Sequence, residues 1–382
     1  MQTAHNIDDL RRIARRRLPR IFFDYVDGGA NAEVTLAANE ADFSAIRLRQ
    51  HVLRDVSARD LSTEFLGQRH ALPLMLGPLG FLGMLARKGE VAAAKAAGAA
   101  GIPCCVSAFS ICPIDEVAHS APHTVVYSQL YVLRDRTMTE ALIARAEAAG
   151  AEALFLTVDT ATTPARERDA RNGFRNLTRP TIGQWLNMLS RPAWCRAMIA
   201  DGMPEVGHAR AAGFGRGVME QAGNLSRQID PSLSWADVDW LRRRWPRKLV
   251  IKGIMEAEDA QRAIEAGADG IVVSNHGGRQ LDHAASTIKA LPAVADAVAG
   301  RIDVIVDGGF RRGAHVVAAL ALGASAVSLG RPQAWGVAAG GEAGVARAIG
   351  LIAAELDATL TLMGLTSVDE LRAWGREALY AL

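Results

Sequence analysis

Residues 256–282 read EAEDAQRAIEAGADGIVVSNHGGRQLD, and this stretch decides the architecture. Glu256–Ala266 is an alanine-rich helical stretch. It gives way to Ala-Gly-Ala at 266–268, with a glycine where a left-handed cap ends a helix. Gly270–Val273 is then a short apolar run that reads as a buried strand bounded by a turn. The strand leaves into Ser274-Asn275-His276-Gly277-Gly278-Arg279-Gln280-Leu281-Asp282. Three residues apart on this glycine-loosened loop, His276 and Arg279 can face one small ligand. Arginine offers a planar fork of donors for a carboxylate. Histidine offers a base poised near neutral pH. Gly277 and Gly278 let the backbone pass close to something flat or bulky.

The same unit recurs along the chain. Candidate strands are Leu72–Leu76, Ile102–Val106, Thr124–Ser128, Ala153–Val158, Lys248–Ile251, Gly270–Val273, Asp303–Val306 and Ala324–Leu329. Helical stretches such as Gly89–Ala100, Thr139–Ala149, Ser286–Ala299 and Arg312–Leu322 lie between them. Several end in a glycine just before the next strand, at Gly101, Gly150, Gly267 and Gly323. Eight strand-helix units predict an α/β fold, an eight-stranded (β/α)8 TIM barrel behind an N-terminal helical segment. The competing doubly wound sheet lacks support, since no Gly-x-Gly-x-x-Gly turn follows the first strand. The expectation is one domain over residues 1–382, with a barrel core at about 70–365 and a long loop at about 160–233. That loop exceeds the usual length of a structureless connection, which points to a lid or an insertion. Its middle, from Ile182 through Trp194, mixes apolar and polar residues as a short amphipathic helix does. Packing on the barrel or a subunit neighbour is one use for it; a membrane-surface or active-site lid is the other.

Composition narrows the partners. Lys plus Arg number 43 against 41 Asp plus Glu, a net charge of +2 with no broad basic face, which argues against nucleic acid. The basic cluster from Arg11 to Arg20 reads as the solvated side of a first helix. The 4 cysteines include no Cys-x-x-Cys pair and make no metal pattern, so no metal site is expected and buried free thiols in a reducing compartment are. Met1 to Leu18 has no signal-peptide core, and no apolar run reaches transmembrane length. These features predict a protein kept in the cytoplasm, or one that touches a membrane only from that side.

In a barrel of this kind the ligand sits at the carboxyl ends of the strands. The chain delivers there Pro78-Leu79-Gly80, then Ser107, Gln129-Leu130-Tyr131, and Thr157-Val158-Asp159 with Arg166 close behind. Lys252, Ser274 with His276, Asp307-Gly308-Gly309-Phe310-Arg311 and Gly330-Arg331 follow. Glycine N–H groups and arginines after the last two strands suit a phosphate.

These residues carry a family resemblance. The SNHGGRQLD stretch, Asp307 to Gly313, Gln129 to Tyr131, Leu156 to Asp159, and Phe23-Asp24-Tyr25 ahead of Gly28-Gly29-Ala30 are similar to the FMN-dependent L-2-hydroxy acid dehydrogenases and oxidases. The resemblance runs from about Asp8 to about Leu371. Tyr25 to Leu36, Gly83 to Lys95, Cys112 to Val117 and Tyr131 to Arg136 look most like the respiratory L-lactate dehydrogenases. Arg16 to Ala30 and Ser226 to Asp259 resemble the (S)-mandelate dehydrogenases.

The resemblance implies FMN as cofactor and a role for each residue. His276 would take a proton while the substrate Cα hydrogen passes to flavin N5 as hydride; the carbanion route, with His276 removing the Cα proton, stays open. Asp159 would orient His276 and stabilise its charged form. Arg279, helped by Tyr25, would hold the substrate carboxylate, Tyr131 would bond its hydroxyl, and Arg166 would add positive charge. Lys252 would stabilise the reduced ring. Pro78, Leu79, Gly80, Ser107, Gln129, Thr157 and Ser274 would contact the ring or ribityl chain, and Asp307 the ribityl hydroxyls. Gly308, Gly309, Arg311, Gly330 and Arg331 would cradle the phosphate. A quinone or other electron acceptor, peripheral membrane contact and a homotetramer are the implied partners. Leu79, Ser128 and Pro164 depart from the common pattern, which leaves the substrate side-chain pocket open. Two alternatives stand beside a dehydrogenase: an oxidase that passes electrons to O2 and releases H2O2, and a flavin-binding barrel without catalysis. Asp282 and Asp303 are expected to be structural.

Overall fold

Along Ala153–Thr157 side chains alternate between the inside and the outside of a closed sheet, and this alternation organises the molecule. The computed structural model describes residues 3–174, 181–199, 205–207 and 217–380. A short antiparallel hairpin, β1 (Thr63–Phe65) and β2 (Gln68–His70), precedes the barrel. Then come β3 (Leu74–Leu76), β4 (Cys104–Val106), β5 (Val126–Leu130), β6 (Ala153–Thr157), β7 (Lys248–Ile254), β8 (Gly270–Val273), β9 (Asp303–Val306) and β10 (Ala326–Leu329). These eight strands pair in parallel and in chain order, and β10 closes the ring on β3. All eight expected strands are present, and the closed ring excludes the doubly wound sheet. Strand β5 begins and ends two residues later than expected, and β7 runs on to Ile254, so Gln129 and Lys252 lie inside strands rather than after them.

Two apolar layers follow from the pleat. Met75, Cys105, Tyr127, Phe155, Val250, Val272 and Ile305 fill the barrel interior, with Phe65 and Leu66 of the hairpin closing its floor. The intervening residues, such as Leu154, Leu156, Ile251 and Val306, face the surrounding helices. Asp303 has a definite structural use, since its Oδ2 accepts the Leu66 N–H at 2.7 Å and fastens the hairpin beneath the barrel.

Three helices come before the barrel: α1 (Ile7–Arg17), α2 (Arg20–Asp27) and α3 (Val34–Ala41). Arg11 is not merely solvated, as its sequence setting suggested. It forms a two-pronged pair with the buried carboxylate of Asp27, at 2.6 and 2.8 Å. Asp282 accepts the Thr35 N–H at 2.9 Å in the first turn of α3, where a carboxylate is favoured. Around the barrel lie α4 (Gly89–Ala99), α5 (Ile114–Ser120) and α6 (Arg136–Ala148). The long connection after β6 carries α7 (Glu167–Asn172), α8 (Ile182–Leu189), α9 (Pro192–Ile199) and a further helix, Val218–Gln228. The amphipathic segment expected from Ile182 through Trp194 is thus two helices, and residues 175–180, 200–204 and 208–216 of the long loop lie outside the described residues.

Among the described residues, the helical stretch Arg331–Met363 is long and apolar enough by length and composition to cross a membrane. Its backbone breaks at Gly340 and Gly341, and Trp335, Val337, Ile352 and Leu356 bury one side of it in the core. Packing against α1 and α4 explains its apolar composition.

Candidate active site

The inward alternation that fills the barrel continues one step further at the carboxyl ends. There the inward residues are Gly77, Ser107, Gln129, Thr157, Lys252, Ser274, Asp307 and Ser328, a polar layer on an apolar floor. Above it opens a cavity of about 560 Å³. Tyr25, Pro78, Leu79, Gly80, Ser107, Gln129, Tyr131, Thr157, Arg166, Lys252, His276, Arg279, Asp307, Gly308, Gly309, Arg311, Gly330 and Arg331 all line it, as expected. Asp159 and Ser274 do not. Asp159 stands behind His276, and Ser274 is fully buried, where its Oγ accepts from Lys252 Nζ at 2.7 Å and from the His276 N–H at 3.1 Å. Ser274 therefore positions two cavity residues instead of facing the cavity itself.

His276 and Asp159 are bonded directly. His276 Nδ1 lies 2.8 Å from Asp159 Oδ1. Burial would raise the Asp159 carboxyl, but the His276 and Lys252 charges and the hydrogen bonds from His276 and Thr160 hold it down at about 2. An ionised carboxylate only accepts, so Nδ1 carries the proton and Nε2 keeps its lone pair. Burial also lowers the His276 pKa, and Lys252 and Arg166 add to this against the upward pull of Asp159. The imidazole is thus neutral near pH 7, which is the form a base requires.

Two arginines face the same space. Arg279 Nη1 donates to the carbonyls of Tyr25 and Gly28, at 2.6 and 2.8 Å, and its guanidinium stacks 4.9 Å from the Tyr25 ring centre. Burial and the charge of Arg279 lower the Arg166 pKa to about 10, and its buried Nε has no partner among the described residues. An anionic group between them would relieve both effects. Tyr131 packs edge-on against Phe109, and Tyr25 stacks on Phe174 with ring centres 4.4 Å apart. On the opposite side Lys252 Nζ sits 3.3 Å from Asp307 Oδ2. Burial alone would lower its pKa, but Asp307 and Asp159 outweigh this, so the ammonium persists.

Arg311 bonds Glu40 at 2.6 Å and lies over the Trp335 ring. Arg331 donates to the carbonyls of Val26, Gly277 and Gly28, which fixes the entry of the Arg331–Met363 helix against the N-terminal segment. Sequence reasoning missed Ser328, Phe109, Phe174 and Gln280. Ser328 could have been found by counting two residues on from inward-facing Ala326; the others sit on loops, where no period marks them.

Comparison with known proteins agrees with this geometry. Residues 14–377 match the FMN-dependent dehydrogenase family. The L-lactate dehydrogenase of Caulobacter vibrioides is 48% identical over 362 residues, 94% of each chain. The L-lactate dehydrogenase of Stenotrophomonas maltophilia is 46% identical over 378 residues, 98% of each. Among solved structures, a monotopic membrane protein, (S)-mandelate dehydrogenase, superposes with a TM-score of 0.94 at 38% identity, covering 99% of this chain and 100% of that one. A mandelate oxidase with (S)-4-hydroxymandelic acid gives 0.85 at 35% identity, covering 99% and 98%. The chain belongs to the FMN-dependent dehydrogenase family, and its cofactor is FMN.

The residues present fit that group. Asp307 Oδ1 and Arg311 Nε are buried polar atoms without a hydrogen-bond partner among the described residues, on the side where hydroxyls and a phosphate would be held. A side chain at Gly309, whose φ is 81°, would collide with the Asn39 carbonyl, so only glycine leaves the backbone in place there. Nothing lies within 4 Å of a Cβ at Gly330, which keeps the N-terminus of the following helix open to an anion.

Proposed function

We propose that the protein oxidises an L-2-hydroxy acid of the lactate or mandelate type to the 2-oxo acid and passes the electrons to a quinone. The observation that carries this reading is the His276–Asp159 pair facing Arg279 and Arg166 across one cavity. Arg279 turns the N–H groups not bonded to the Tyr25 and Gly28 carbonyls to the substrate carboxylate, with Arg166 adding charge and Tyr25 closing the side. Tyr131 bonds the substrate hydroxyl. His276 Nε2 receives the hydroxyl proton, and the Asp159 carboxylate stabilises the imidazolium that results. FMN supplies the two-electron acceptor for the Cα hydrogen. Lys252 would offer it a positive charge, and Ser107, Gln129 and Thr157 form a hydrogen-bonded row that would orient it.

A peripheral membrane site belongs to the same proposal. Ile182, Trp185, Leu186 and Leu189 on α8 are exposed, while the polar Asn187 and the ring of Trp194 hold the α8–α9 pair on the body through Arg20 N–H and the Met84 carbonyl. An apolar helix face turned outward suits an enzyme whose acceptor is dissolved in lipid.

The test is anaerobic mixing of the holoenzyme with L-lactate, (S)-mandelate and their enantiomers while the flavin absorbance is followed. Bleaching by an L-acid, and its loss in His276→Ala with FMN retained, is the expected result. Bleaching at native rate in His276→Ala would overturn the assignment of the base. Rapid recolouring by air alone would favour an oxidase.

A further inference from the structure

His276, Gly277 and Gly278 adopt left-handed backbone in succession, with φ of 58°, 64° and 73°. Positive φ is uncommon for any residue but glycine, although histidine tolerates it better than most, and three such residues in a row need a fixed anchor. The anchor is Asn275, 5% exposed. Its Oδ1 accepts from Gly278 N at 3.1 Å and from Asn39 Nδ2 at 2.9 Å. Its Nδ2 donates to Asn39 Oδ1 at 2.9 Å and to the Ala285 carbonyl at 3.0 Å. Asn39 is 1% exposed, and its Oδ1 also accepts from Thr287 N at 3.2 Å. Backbone groups therefore dictate which way round each amide sits: the Gly278 and Thr287 N–H groups need an oxygen, and the Ala285 carbonyl needs a nitrogen. Asn39 lies on α3, outside the barrel and 236 residues from its partner.

We infer that Asn39 is a positioning residue for His276. The reciprocal amide pair locks Asn275, and Asn275 locks the left-handed turn that aims Nε2 into the cavity. Arg279, three residues on, is anchored separately by the carbonyls of Tyr25 and Gly28. The base and the carboxylate fork share one loop and have independent supports. This inference rests on reading His276 as the base, and it separates proton acceptance from substrate binding.

Asn39→Asp tests it in the intact holoenzyme. The shape is kept and Oδ1 still serves Thr287 and Asn275. An ionised carboxylate would set oxygen against Asn275 Oδ1, whereas a protonated one would restore the missing donor. Burial raises the pKa of the introduced carboxyl above the ordinary range. The expected result is a limiting rate of flavin reduction close to native at the acid end. The variant-to-native ratio should then fall by about thirtyfold or more as pH rises, toward the loss caused by displacing a general base. Binding of the 2-oxo acid product, read as a shift of the flavin spectrum, should stay within about threefold, since the arginine anchors are untouched. The ionisable groups on the packed elements are Glu40 and Asp42 near this end of α3, His276, Arg279, Asp282 and His283 on the loop, Lys289 just past Thr287, and Lys252, Asp307 and Arg311 at the strand ends. They are common to both enzymes, so the ratio cancels their titration.

A ratio independent of pH, or a parallel loss of affinity and rate, would make Asn39 a scaffold residue and overturn the inference. If Asn39→Asp does not accumulate, Asn39→Ala, Asn275→Ala and the double variant replace it, and effects on the reduction rate that simply add would overturn it equally. His276→Ala in the same series keeps the two readings apart. Native reduction in that variant sinks the base itself; native reduction in the Asn39 variants beside an inactive His276→Ala sinks only the positioning role.

Discussion

Asp159 and His276 are 117 residues apart in the chain and bonded at 2.8 Å, Oδ1 to Nδ1. The long insertion separates them in sequence, and two strand ends of the same barrel bring them together. Since the carboxylate holds its proton only below about pH 2, it is a fixed negative charge behind the imidazole. Asp159→Asn keeps an acceptor oxygen and removes that charge. The limiting rate of flavin reduction in stopped flow should fall about a hundred- to ten-thousand-fold. A loss under about fivefold would mean that the pair only fixes the ring's orientation.

The same electrostatics set a pH profile. In the proposed reaction His276 is the neutral base, and burial with its cationic neighbours keeps its pKa below the ordinary 6.5. Proton binding removes activity, so the rate of flavin reduction should exceed half its maximum at pH 6.5 and level off above it. It should decline only on the acid side, through a limb whose midpoint lies below that value. A midpoint above 6.5 in the substrate-free enzyme would show that Asp159 outweighs burial.

Much of this was legible because the pleat has a period of two and the barrel repeats one unit. Apolar runs such as Gly270–Val273 announce strands, and the residue just past each run faces the cavity by geometry alone. Ser274 was assigned to the ligand because its strand delivers it there, yet Lys252 Nζ stands over it. Asn39, Glu40 and Asp282 were not legible as parts of the site. Their partners lie across the fold, and a short helix such as α3 carries no signal of what it will lean on. The insertion's amphipathic character shows at α8, and its division into separate helices follows from Pro192, which disfavours helix at Arg191 and opens α9.

Arg279→Lys should be more damaging than its conserved charge suggests. Nη1 is already engaged with the Tyr25 and Gly28 carbonyls, which leaves the remaining N–H groups for a carboxylate. A lysine ammonium cannot satisfy two carbonyls and align a planar anion together. Product affinity should weaken about tenfold or more, and reduction should slow in addition because the Cα hydrogen is no longer aligned. Kinetics unchanged within about twofold would move the carboxylate to Arg166.

The outward face of α8 gives the last prediction. Trp185 and Leu189 are 52% and 64% exposed, and Ile182 and Leu186 lie open beside them. Arg20 and Arg171 line a recess beside that helix and can meet anionic headgroups while the apolar side chains enter the interface. Burying three such side chains in lipid is worth about 1.5 kcal/mol or more each, so removing them should weaken partitioning by more than about a hundredfold. The triple variant Trp185→Ser, Leu186→Ser, Leu189→Ser should therefore stay in solution during flotation with phosphatidylglycerol vesicles. Native protein should float, and both should reduce a soluble dye at similar rates, because these residues do not line the catalytic cavity. Reduction of a vesicle-embedded quinone should fall with membrane binding. If native protein ignores the vesicles, the face is not a membrane site. If the variant also elutes as a smaller species, the same side chains pack against another copy of the chain.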